Sequence, residues 1–210
     1  MRQHEIRMWV KQLGGTFKEP KPPVDTREME ELFKKKRYTE MIGLIRDSMK
    51  LQGPRLRIGY VNSGGKPTGL AWINMPNPMP MYGTAGFNSM ELSMFIRKNF
   101  LETAPFGLVA MAISHECSHV VLNSLHHPLK TTEECVDLTA MYNGYRNLFA
   151  TEYEYEKTLG LPPNLQHLLS GRLHNRLAEA FGDSFHSQFG YLTIAERKFA
   201  ATLMQTRAKV

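Results

Sequence analysis

With 210 residues, 42% of them hydrophobic and 22% charged, the chain is far from the low-hydrophobicity, high-charge regime that stays unfolded, and it is long enough for one core but short for two. The formal charge of +6 comes partly from Lys34-Lys35-Lys36-Arg37, a run with no interleaved aromatic residues and no DNA-binding motif around it, so it reads as a solvated helix face and disfavours a nucleic-acid partner. Two cysteines, Cys117 and Cys135, are too few for a disulfide framework, and no apolar stretch approaches the roughly 20 residues that cross a bilayer. A soluble, cytoplasmic protein without a membrane span is therefore expected.

Residues 1–24 hold Gly14-Gly15 and the proline-rich EPKPPVD stretch, which predict an N-terminal arm or linker, with a single domain over 25–210. Asp25 and Glu28 have the spacing of a capping box and open a predicted helix through Met29, Leu32 and Phe33. A second helix over roughly 39–51 puts Met41, Leu44, Ile45 and Met49 near one face, and Gly53-Pro54 ends it.

The period then changes. Leu56, Ile58 and Tyr60 alternate with Arg57 and Gly59, and Leu70-Ala71-Trp72-Ile73 follows the turn-rich NSGGKPTG, which predicts a hairpin. MPNPMPMYG is too rich in proline for a central strand, whereas Met90, Leu92, Met94 and Ile96 alternate with polar residues as a half-buried strand does. A long helix from about 104 to 124 comes next, and another opens at Thr131 or Thr132. Further helical patterns cover about 150–159, 164–181 and 193–204, the last starting with a Thr193 to Glu196 capping box.

The chemistry concentrates in His115-Glu116-Cys117-Ser118-His119. A helix turns about 100° per residue, so two histidines four apart lie on one face and can reach a single metal. Zn²⁺ accepts neutral imidazole nitrogens, and a catalytic site takes three protein ligands and keeps one position for water, beside which Glu116 can act as general base. The helix is apolar before the motif and after it, so the three polar residues would be costly to bury without a metal. The third ligand is expected from EECVD: Glu133 as ligand, with Asp137, four residues on, accepting the outer N–H of a ligating histidine. Glu134 lies off that face, and a Thr131-x-x-Glu134 capping box gives it a structural role. A metzincin would need glycine and histidine where Leu122 and Leu125 stand, and His126 and His127 fall too late for that pattern. Cys117 and Cys135, two residues from proposed ligands, face away from the metal as buried free thiols.

The stretch AGFNSMELSMFIRKNFLETAPFGLVAMAISHECSH resembles the strand, helix and HExxH order of the soluble domains of CAAX-prenyl-protease and HtpX-like gluzincin peptidases. EECVDLTA is similar to their Glu-x-Glu-Ala-Asp-x-x-Ala helix, and to that of ImmA/IrrE-type proteins, with Cys135 and Val136 replacing the usual Glu and Ala. The resemblance covers roughly residues 85–140. It implies an α+β, zincin-like fold, mostly helical, with a small mixed or antiparallel sheet packed on the HExxH helix and a helical C-terminal part closing the cleft. It further implies Zn²⁺ held by His115, His119 and Glu133, Glu116 as general base, Asp137 behind a ligand, and a peptide or protein substrate added as an extended strand beside residues 90–96. The expected activity is a zinc metallopeptidase. The alternative is a zinc-binding regulator of ImmA/IrrE type acting by contact with protein or nucleic acid. Tyr142, Tyr145, Arg146, His174 and His186 are candidates for stabilising an oxyanion, each with a structural role as the simpler reading.

Overall fold

The computed structural model describes residues 2–62, 70–151, 153 and 191–207. In chain order the elements are α1 (Gln3–Phe17), α2 (Arg27–Lys34), α3 (Tyr38–Ser48), β1 (Arg55–Val61), β2 (Ala71–Asn74), α4 (Ala85–Ser89), β3 (Glu91–Arg97), α5 (Lys98–Thr103), α6 (Phe106–Ser124) and α7 (Glu133–Ala140). A π turn (Met141–Tyr145), α8 (Arg146–Ala150) and, after a gap in the description, α9 (Ile194–Arg207) complete them. The protein is α+β, mostly helical, with a small mixed sheet.

The N-terminal segment is not an arm. Ile6, Val10 and Leu13 sit at helical spacing on α1, are at most 1% exposed, and join the main core cluster. Burying three such side chains contributes roughly 1.5–3 kcal/mol each, enough to carry Gly14-Gly15 inside the helix at a cost of about 1 kcal/mol apiece. The proline-rich stretch after α1 is also tied down. Lys21 N–H donates to the Tyr142 carbonyl at 2.8 Å and Val24 N–H to that of Gly144 at 3.1 Å, so it runs along the π turn. Gly144 is at φ 102°, and a Cβ there would lie 2.5 Å from the Pro22 carbonyl oxygen, so only glycine fits this crossing.

The sheet order is β1-β3-β2, with β3 parallel to β1 and antiparallel to β2. The predicted hairpin is therefore absent: β1 and β2 both pair with β3, which enters between them. Leu92, Met94 and Ile96 are buried and alternate with more exposed neighbours, as their spacing predicts. Since β3 is paired on both sides, it offers no edge to a substrate strand; the outer strands of the sheet are β1 and β2.

Helix α6 packs against α7, α3, α8 and β2. From Gly107 to Leu122 every residue is buried except His115, Glu116 and His119. A helix apolar nearly all round belongs inside a core, and between its ends this one meets solvent only at its motif. Among the described residues no helix is long and apolar enough to cross a membrane. Two capping expectations are revised. Asp25 accepts from Arg27 N–H at 3.1 Å rather than acting as the N-cap, and no side-chain bond caps α7. The Thr193 and Glu196 pair forms as expected, Thr193 N–H to Glu196 Oε2 at 3.0 Å and Glu196 N–H to Thr193 Oγ1 at 3.2 Å. The predicted helix over 193–204 forms as α9, whereas that over 164–181 and nearly all of that over 150–159 lie outside the described residues.

Candidate metal centre

Two elements build the site: the middle of α6, which carries His115, Glu116 and His119, and the first turns of α7, which carry Glu133 and Asp137. The imidazole rings of His115 and His119 are 4.9 Å apart edge to face. Glu133 Oε2 lies 3.3 Å from His115 Nε2 and 3.3 Å from His119 Nε2. It is buried, yet it has no partner in hydrogen-bonding geometry. A carboxylate oxygen turned toward two ring nitrogens and bonded to neither is placed where a third ligand atom could join them around an ion.

Behind the ligands, His115 Nδ1 pairs with Asp137 Oδ1 at 2.8 Å. Asp137 is fully buried, and its other oxygen accepts the backbone N–H of Tyr191 at 2.7 Å and of Leu192 at 3.3 Å. With Nδ1 of His115 turned to this buried carboxylate, the ring is oriented so that Nε2 faces the site. The ring of Tyr191 stacks on that of His115, centroids 5.7 Å apart and planes 20° apart, with the tyrosine half exposed.

Among the described residues His115, Glu116 and His119 form a group whose ligand atoms all lie within 4.8 Å of one another. Glu116 is thus a geometric competitor of Glu133 for the third position. The hydrogen bonds separate them: Glu116 Oε2 accepts the backbone N–H of Ile73 at 3.0 Å, whereas Glu133 Oε2 accepts nothing. Charge agrees with the orphaned oxygen. Burial opposes protonation of His115, but Asp137 and Glu133 outweigh it and raise its pKa to about 10, while His115 and His119 hold the Glu133 carboxyl well below the usual range. Three carboxylates around two imidazoles demand positive charge, and a divalent cation meets that demand as protons otherwise would.

The remaining sequence candidates go elsewhere. Tyr142 is buried and its hydroxyl donates to the Val10 carbonyl at 2.8 Å; that of Tyr145, also buried, pairs with Ser48 Oγ at 2.6 Å; the Arg146 guanidinium donates to the Lys21 carbonyl. All three brace the core where α1, α3 and the proline-rich stretch meet the π turn. His174 and His186 lie outside the described residues. Cys117 and Cys135 are buried free thiols, and burial pushes both up to about 12. His127 is buried, its Nδ1 accepting the Leu129 N–H at 3.1 Å. Glu134 does not cap its helix; it takes Arg2 Nη1 at 2.6 Å.

Sequence reading missed Tyr191, the amides of residues 191 and 192, Arg2 and Ile73. Backbone N–H groups carry no residue-type signal, and Arg2 and Tyr191 reach the site from far along the chain. No family model, curated protein or solved structure matches this chain.

Proposed function

We propose that the protein is a zinc-dependent metallopeptidase that hydrolyses peptide bonds at the centre formed by His115, His119 and Glu133. The observation that carries this reading is the orphaned Oε2 of Glu133, equidistant at 3.3 Å from two imidazole nitrogens whose helix is otherwise buried. Zinc held there supplies an acidified water and a Lewis acid for the scissile carbonyl. Asp137 keeps His115 in the tautomer that presents Nε2 and keeps that ring from swinging out. Glu116, next in sequence to His115 and fastened through Oε2 to the sheet, receives the proton of the attacking water and passes it to the leaving amine. A purely structural zinc site closes its fourth position with a protein ligand and needs no such base, so the distinct environments of Glu116 and Glu133 favour catalysis over a contact role.

The substrate strand belongs at β2 rather than β3. Leu70 carbonyl accepts the Arg97 N–H at 2.9 Å, and in the antiparallel register Trp72 and Asn74 are two and four residues further along, so Ala71 and Ile73 turn their N–H and C=O groups to the outer edge. An extended peptide pairing with that edge passes alongside Glu116, which already holds one of its N–H groups.

The test combines metal content with turnover. Purified protein is expected to carry about one zinc per chain and to cleave an unfolded protein substrate in a chelator-sensitive way. Glu116→Gln is expected to retain zinc and lose activity by roughly 10²–10⁴. A protein that binds no zinc, or a Glu116→Gln variant that cleaves as well as the parent, overturns the reading.

A further inference from the structure

The Asp137 carboxylate orients His115, but what orients Asp137 is the bend at residues 191–192, whose two N–H groups it accepts. That bend is held in turn by a residue from the other end of the chain. Arg2 Nη2 donates to the Tyr191 carbonyl at 3.4 Å. Its backbone N–H and Nε donate to Glu196 Oε1 at 3.1 and 3.3 Å, on the carboxylate that caps α9 just after the bend. Arg2 Nη1 donates to Glu134 Oε1 at 2.6 Å, one residue from Glu133. One guanidinium therefore touches both segments that set the site: the first turn of α7, which presents Glu133, and the bend that fixes Asp137. Its partners are not loose surface groups, since the Glu196 side chain is 4% exposed and that of Glu134 21%. Helix α1, packed on α9 and α7, places Arg2 at this junction.

We infer that Arg2 is a positioning residue for the metal centre, tying the Glu133 turn to the two N–H donors that hold Asp137 so that three ligand atoms converge before any ion arrives. The inference rests on the metal reading above and adds a residue that touches neither metal nor substrate. The fork matters as much as the charge: a planar guanidinium reaches Glu134, Glu196 and the Tyr191 carbonyl at once, which a single ammonium cannot do. Groups that hold metal ligands in place change affinity by about 10–100-fold, and Arg2 acts one contact further out, so an effect of about tenfold is expected.

The experiment is zinc affinity of the full chain by competition with a chromophoric chelator, well below the unfolding temperature, with the visible spectrum of the Co²⁺-loaded protein as a second readout. Arg2→Ala is expected to weaken zinc binding about tenfold and to alter the Co²⁺ bands, and Arg2→Lys to recover only part of the loss. Glu134→Gln removes a single strut, and is expected to weaken binding several-fold even if Arg2→Ala does not fold. If the parent binds zinc and both Arg2→Ala and Glu134→Gln match its affinity, losing only thermal stability, Arg2 is a structural ion pair and the inference is overturned. If the parent binds no zinc, the metal reading itself falls; if it binds zinc without hydrolysing peptides, only the peptidase reading falls.

Discussion

Glu116 accepts the backbone N–H of Ile73 at 3.0 Å, so the acid beside the two histidines is fastened to the edge of the sheet. Ile73 points this N–H away from β3, and the β2–β3 ladder does not use it. Proline is tolerated at such outward positions of an edge strand. Ile73→Pro removes the donor and is expected to lower kcat about tenfold or more while zinc affinity stays within twofold. Ile73→Ala, which loses comparable side-chain burial but keeps the N–H, controls for packing and is expected to retain most of kcat. Equal activity in the two variants rules out a role for this hydrogen bond in aiming the base.

Asp137 has no exposure and three N–H donors directed at it, from His115, Tyr191 and Leu192. Asp137→Asn puts an NH₂ group where one of its oxygens accepted these bonds, so either a buried N–H loses its acceptor, at about 1–3 kcal/mol, or His115 must switch to the tautomer that accepts at Nδ1 and carries its proton on Nε2. The variant is expected to melt several degrees lower and to bind zinc about 10–100-fold more weakly. Calorimetry of the metal-free and zinc-loaded forms separates the two effects: a structural role lowers both melting points equally, whereas an orienting role also shrinks the gain that zinc gives.

The parts of this site that were legible in sequence are those where one helix sets the geometry. His115 and His119 share a face because they are four apart, and the same spacing turns Glu133 and Asp137 to one side of α7. Which carboxylate has a free oxygen was not legible, because it depends on a strand edge and on a bend 54 residues beyond Asp137. The sheet order was misread for a related reason. Alternation identifies β1, β2 and β3 individually, but only tertiary contact puts β3 between the other two. Helix α1 did leave a signal, in Ile6, Val10 and Leu13 at helical spacing, which the nearby glycines and prolines outweighed in a reading by local propensity.

Gly144 links the N-terminal stretch to the helix pair that bears the site. At φ 102° it takes a conformation costly to any residue with a Cβ, and that atom would lie 2.5 Å from the Pro22 carbonyl oxygen and 2.9 Å from Val24 Cγ2. Gly144→Ala is expected to destabilise the fold by about 2 kcal/mol or more in urea titration, through backbone strain and the displaced 21–24 segment. A variant as stable as the parent would show that residues 21–24 do not pack against the π turn.

On the proposed zinc reading protons and zinc would compete for the same imidazole, which would give the site a pH signature. In the metal-free protein burial lowers the His115 pKa, but Asp137 and Glu133 outweigh that and raise it from 6.5 to about 10. A group raised in the folded state contributes stability that is fully present below its unfolded value near 6.5 and lost as pH climbs through about 10. Glu133, held below its ordinary 4.5 chiefly by His115 and then by His119, contributes stability present above 4.5 and lost as pH falls through its lower folded value. The metal-free pair is thus most stabilising between about 4.5 and 6.5. Zinc bound there would displace one proton from His115, so apparent zinc affinity is expected to rise by up to about tenfold per pH unit between about pH 7 and 9. Competition titrations at three pH values, with buffers of different ionisation enthalpy to count released protons, check the slope. An affinity that stays flat across that window would show that the His115 pKa is not raised in the metal-free protein.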